Sequence, residues 1–116
     1  MSSILVVDDE KIIASTLERV LKRAGHTVTV CNGGIEAIQT LQSQRPFDYV
    51  FLDFLMPEVG GSEVLDFLRA HHPTSKVIMM TAYGDQQTKE LLITKGATMV
   101  LAKPFDDILK IPELLK

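Results

Sequence analysis

Each of four short apolar runs in this chain is closed by a group able to do chemistry. ILVV (4–7) is followed by Asp8 and Asp9, YVFL (49–52) by Asp53, KVIMM (76–80) by Thr81 and MVLA (99–102) by Lys103. Asp53 sits between YVFL and FLMP, and an unpaired carboxylate buried there would be costly or would protonate. Three carboxylates in one small cleft repel each other and favour protonation of at least one unless a cation is present. Oxygen-only ligands suit Mg²⁺, which prefers an octahedron of oxygens and keeps several waters. A lysine and a hydroxyl across from Asp53 are then what a transferred phosphoryl group needs, each taking one of its oxygens. Asp53 is the central carboxylate, able to attack phosphorus and form an acyl phosphate.

That chemistry requires the chain to bring these residues to one place. A fifth apolar run, TVTVC (27–31), ends at Cys31-Asn32, and helical spacings fill the gaps between runs. Ile13, Leu17, Val20, Leu21 and Ala24 share a helix face, with Gly25 as the stop. Ile35, Ile38 and Leu41 share another until Arg45-Pro46. A third helix is predicted from an N-cap near Ser62, with Val64, Leu65 and Leu68 inward, and a fourth from about Asp85 to Lys95 before Gly96. In the last segment, FDDILKIPELLK, Pro112 removes a backbone donor and predicts a short or broken fifth helix.

Strands alternating with helices imply right-handed crossovers and a parallel sheet covered on both faces. The expected fold is α/β: a (βα)5 doubly wound sandwich with a five-stranded parallel sheet of order 2-1-3-4-5, a flavodoxin-like topology. In such sheets ligands bind beyond the carboxyl ends of the strands, where the winding reverses. The first and third strands straddle that point, and the second, with no reactive ending, lies at the far edge.

Composition narrows the class. At 116 residues, 46% hydrophobic and 23% charged, the chain fits one globular domain, expected to span 1–116 with no output domain. A net charge of −3 gives no footprint for direct nucleic-acid binding. The single cysteine, Cys31, cannot form an internal disulfide and reads as a small apolar filler in a reducing compartment. No apolar run approaches the roughly 18 residues of a membrane span. The start MSSILVVDDE lacks the basic region of a signal peptide, so a cytoplasmic location is expected.

With VVDDE at 6–10, DFLMPEVGG at 53–61, MTAYGD at 80–85 and AKPF at 102–105, the chain resembles the receiver domains of two-component response regulators, chemotaxis receivers among them. The resemblance covers essentially the whole chain. It implies that Asp53 is the phosphoacceptor, supplied by the phosphohistidine of a histidine kinase or phosphotransfer protein in a phosphorelay. It implies that Asp9 binds Mg²⁺ directly, that Asp8 acts largely through a metal-bound water, and that the backbone carbonyl of Leu55 is a further ligand. Thr81 matches the switch hydroxyl and Lys103 the phosphate-binding lysine, with a cis bond to Pro104. Ala82 matches the small residue that admits the donor, and Gly61 the glycine that closes the loop after Met56-Pro57. The implied function is a signalling switch rather than a turnover enzyme. It would act on a downstream protein, an output domain or a second copy through helix 4, strand 5 and helix 5. Both a free-standing receiver and one excised from a longer regulator with an output domain fit this pattern.

One position departs from the family pattern. Val100, three residues before the lysine, stands where receivers usually carry the aromatic ring that turns inward with the threonine. Leu55 and Tyr83 flank the path of the hydrolytic water without a group to orient it, so phosphate loss is expected to be slow. Other residues read more plainly. Glu10 complements a helix dipole, and His71-His72 form a solvated cationic helix end. Leu91, Leu92 and Ile93 cannot all face the core, which leaves a candidate partner surface on helix 4. Two rivals fit poorly. An aspartyl-phosphate hydrolase resembling the haloacid dehalogenases would carry DxDx[TV] and a cap, whereas Asp8 and Asp9 are adjacent and no insertion is present. A flavin-binding module would need a phosphate loop, whereas DDEKII is acidic.

Overall fold

The computed structural model describes residues 1–43, 46–82 and 84–115. Five parallel strands, β1 (Ser3–Val7), β2 (Thr27–Cys31), β3 (Tyr49–Asp53), β4 (Lys76–Thr81) and β5 (Met99–Ala102), form one sheet of order β2-β1-β3-β4-β5. They alternate with α1 (Lys11–Arg23), α2 (Gly34–Ser43), α3 (Gly61–His71), α4 (Gln86–Thr94) and a C-terminal 3₁₀ helix (Ile108–Leu115). The predicted topology is the observed one.

The strands are apolar on both faces because both faces are covered. Side chains alternate, so Ile4 and Val6 join Ala14, Leu17, Leu21, Phe51 and Ile111 in one buried layer under α1 and the 3₁₀ helix. Leu5 and Val7 join Ala37, Leu41, Val64, Leu65, Leu68 and Leu92 in the other, under α2, α3 and α4. Each fully buried aliphatic side chain stabilises the fold by about 1.5–3 kcal/mol. Cys31 is such a filler: it is buried, and its Sγ lies 3.3 Å from the Thr40 hydroxyl.

The helices differ from expectation mainly at their ends. Pro112 lies inside the C-terminal helix, which is 3₁₀ throughout its eight residues and buries only Ile111. The third helix begins at Gly61 rather than after Ser62; Gly60 is its N-cap and donates its N–H to the Glu63 carboxylate at 3.4 Å. The expected stop at Arg45 lies outside the described residues; α2 runs to Ser43. Asp85 caps α4, accepting the Thr88 N–H at 3.2 Å. Of the three consecutive apolar residues on α4, only Leu92 is buried.

The histidine pair is not a solvated patch. His71 is exposed, but His72 is buried and its Nε2 donates to the Leu41 carbonyl at 2.9 Å. His72 is the residue at which α3 ends, and its non-helical backbone (φ −135°) turns the ring inward onto α2. Periodicity cannot foresee this, because His72 has already left the helix.

Candidate functional site

The carboxyl ends of β1, β3, β4 and β5 meet at one rim, and the backbone there is tightly tied. Asp8 is buried at the end of β1; its N–H donates to the Cys31 carbonyl at 3.1 Å, and its Oδ1 accepts the Glu10 N–H at 2.9 Å. That second bond closes the turn into α1, so Asp8 is fixed by the start of the helix that follows it. Asp53 is the last residue of β3, in register with Met80 of β4, and is also buried. The next residue, Phe54, donates its N–H to the Met80 carbonyl at 2.9 Å and accepts the Gly61 N–H at 2.8 Å. The loop from 54 to 60 is thereby cinched at its neck. Gly61 is required there, since a Cβ would overlap the Asp53 carbonyl oxygen.

Lys103 reaches the rim from the other side. Its N–H donates to the Thr81 carbonyl at 2.8 Å, and its peptide bond to Pro104 is cis, as expected. Its ammonium lies 2.7 Å from Asp8 Oδ2, 3.0 Å from Glu10 Oε1 and 3.2 Å from Asp53 Oδ1. Thr81 is buried at the end of β4. Asp9, Glu10, Asp53, Leu55, Thr81, Ala82 and Lys103 line a cleft of about 290 Å³, and Asp8 lies at its base beside the lysine.

The electrostatics follow from crowding. Burial, reinforced by the Asp8 charge, pushes the Asp53 carboxyl up to about 7 despite the opposing pull of Lys103. For Lys103 burial works against the charge, but hydrogen bonding to Asp8 and Glu10 and the Asp53 charge overcome it and push the ammonium up. One lysine does not neutralise so many acids. Asp8 Oδ2 is buried and lacks an aligned hydrogen-bond donor, although the ammonium is close. Asp8, Glu10 and Asp53 each offer a carboxylate oxygen, all within 4.8 Å of one another. A divalent oxygen-seeking cation fits this donor set.

The structure thus brings together the predicted Asp8, Asp9, Asp53, Leu55, Thr81, Ala82 and Lys103. Asp9 is exposed on the cleft wall and is not in the close cluster; Glu10, read from sequence as a dipole partner alone, is there instead. The missed signal was position: Glu10 is the N-cap of α1, at the mouth of the same rim. Val100 lies on β5 opposite Met79, partly buried against the layer under α2, α3 and α4. Pro104 is exposed. Tyr83 lies outside the described residues.

Comparison with known proteins bears on this arrangement directly. Residues 4–114 match the sequence model of the response regulator receiver domain. The chain is 37% identical over 107 residues to the transcriptional regulatory protein CpxR of Escherichia coli (strain K12), covering 92% of this chain and 45% of the relative. It spans between about a fifth and a half of the length of the curated relatives it matches. Among solved structures it is similar to the receiver domain of the Francisella response regulator 1452, with a TM-score of 0.91 at 27% identity over 99% of this chain and 93% of that one. It is also similar to the chemotaxis response regulator CheY4 of Vibrio cholerae, with a TM-score of 0.88 at 29% identity over 100% and 99%.

Proposed function

The chain belongs to the response regulator receiver domain family, the phosphorylation-activated switches of two-component signalling, and from that premise we propose that Asp53 is its phosphoacceptor. The observation that carries the reading is a buried carboxylate at the end of β3, 3.2 Å from the Lys103 ammonium, opening into a cleft walled by Thr81 and Ala82. The donor is the phosphohistidine of a histidine kinase or phosphotransfer protein. An ionised Asp53 oxygen attacks phosphorus, the bond from phosphorus to the imidazole nitrogen breaks, and an acyl phosphate remains. The Lys103 ammonium and the Thr81 hydroxyl each take one of the phosphoryl oxygens, and Ala82 leaves room for the donor.

Asp8, Asp9, Asp53 and the Leu55 carbonyl are the residues proposed to hold Mg²⁺. Bound there, the ion supplies charge neutralisation for the acids and the transferring group. Asp8 contributes through its fixed, buried position, and Asp9 from the cleft wall. Leu55, exposed at the rim, presents an apolar side chain where a polar one would orient water. Slow loss of the phosphoryl group follows.

The phosphorylated state draws Thr81 toward the acceptor and displaces the loop into α4. Because Val100 has no ring to swing, the signal rests on displacement of that loop and α4. The face of α4, β5 and the C-terminal 3₁₀ helix then meets a downstream protein, an output domain or a second copy. In this reading residues 1–116 form one receiver domain, a switch rather than a turnover enzyme, working in the cytoplasm and not itself touching nucleic acid. Among the described residues no helix is long and apolar enough to cross a membrane. The family match and fold leave the hydrolase and flavin-module readings without support.

The deciding experiment is incubation with Mg²⁺ and acetyl phosphate followed by intact-mass measurement. One phosphoryl group is expected on the wild type and none on Asp53→Asn. An unmodified wild type would end the proposal.

A further inference from the structure

Lys103 is crowded by carboxylates before any phosphoryl group arrives, and its ammonium donates an aligned hydrogen bond to Glu10 Oε1 at 3.0 Å. An ammonium has three N–H donors and no acceptor, and three carboxylates surround this one at 2.7, 3.0 and 3.2 Å. A phosphoryl oxygen that approaches the lysine therefore competes with these carboxylates for it. Asp8 is completely buried and held through its other oxygen by the Glu10 N–H. Asp53 is the acceptor itself and stays in place through the reaction. Glu10 differs from both: its side chain is 62% exposed, it is longer by one methylene, and water can take over its solvation when it swings out.

We propose that Glu10 is the resting partner of Lys103, a positioning residue that competes with the incoming phosphoryl group for the ammonium and so slows phosphorylation of Asp53. The inference rests on the reading of Asp53 as acceptor. It also assigns Glu10 a place distinct from that of a metal ligand, although its oxygen lies within 4.8 Å of those of Asp8 and Asp53. Its carboxylate is turned to the lysine, and it lines the same cleft a donor must enter, where its charge also repels an anionic phosphodonor. Both effects act in one direction.

The test uses the whole chain as wild type, Glu10→Gln and Glu10→Asp. Initial rates of phosphorylation by acetyl phosphate are read by intact mass at saturating Mg²⁺, and Mg²⁺ affinity is measured separately by calorimetry without phosphodonor. Glu10→Gln removes the charge at constant shape and should raise the rate by about twofold to fivefold, the scale of a partly exposed ion pair. Its Mg²⁺ dissociation constant should stay within about twofold of wild type on the same reasoning. Glu10→Asp keeps the charge but withdraws it, and should fall between the two. An unchanged or lowered rate would overturn the proposal, as would a large loss of Mg²⁺ affinity, which would make Glu10 a metal ligand. A wild type that takes no phosphoryl group would instead overturn the reading of Asp53.

Discussion

Asp53 is poised near the midpoint of its titration at neutral pH. Burial and the Asp8 charge raise its carboxyl to about 7, whereas an unfolded aspartate ionises near 4. Below about pH 4 the group is neutral in both states and does not affect stability. Between about 4 and 7 the unfolded chain releases its proton first, so stability falls as pH rises, and above 7 the full penalty remains. Asp53→Asn should therefore stabilise the metal-free protein at pH 8 by on the order of 1–2 kcal/mol, and little at pH 4. The figure is well below the full shift because Lys103 loses a partner in the same substitution. Denaturant melts of both proteins at the two pH values check this; equal differences at each pH would contradict it. A second residue-level expectation concerns lifetime: Leu55→Asn places a water-orienting amide at the rim and should speed decay of the phosphorylated form severalfold, read by intact mass over time. Most of the site was legible because strand-ending acids, a threonine and a lysine stand out against apolar runs. Glu10 was not, because its pairing with Lys103 spans 93 residues and depends on how the turn into α1 meets the residue after β5 at the rim.

At the scale of elements, the sheet was readable because each buried strand is an uninterrupted apolar run, and the helix ends were less so. Ser62 looked like a cap by residue type, but the backbone had already turned at Gly60 to bring α3 against Asp53. His72 looked solvated, but the chain turns it under α2 once the helix ends. The packing of α3 makes a strong demand on one residue. Gly61→Ala would force a methyl group into the Asp53 carbonyl oxygen, costing about 3 kcal/mol and shifting Asp53. Both a lower unfolding midpoint and slower phosphorylation are expected; a variant normal in both would show that the loop neck can relax. Helix α4 is the contrasting case. It buries only Leu92, and Lys95, just beyond its end, is tied to Ser62 and Asp66 of α3. An element so lightly held can move at small cost, which suits the part proposed to carry the signal.

The molecule as a whole carries a modest net charge of −3, yet its negative potential is concentrated at one rim. Asp8, Glu10 and Asp53 gather there around a single lysine, with Asp9 on the cleft wall. A fold that concentrates like charges in this way is stabilised by a cation that binds the folded state and not the unfolded one. Mg²⁺ at about 100 times its dissociation constant should add about 2.7 kcal/mol to stability. The effect must depend on pH through Asp53, because a ligating carboxylate has to lose its proton first. With that group near 7, about a tenth of the molecules are ready at pH 6 and about nine-tenths at pH 8, so affinity should be about tenfold weaker at the lower pH. Thermal melts with and without Mg²⁺ should accordingly show a larger upward shift at pH 8 than at pH 6 for a fixed, subsaturating concentration. Asp53→Asn should lose both the shift and most of its pH dependence. A shift of equal size at both pH values, or one retained in Asp53→Asn, would place the cation away from Asp53 and remove the physical basis for its proposed part in the switch.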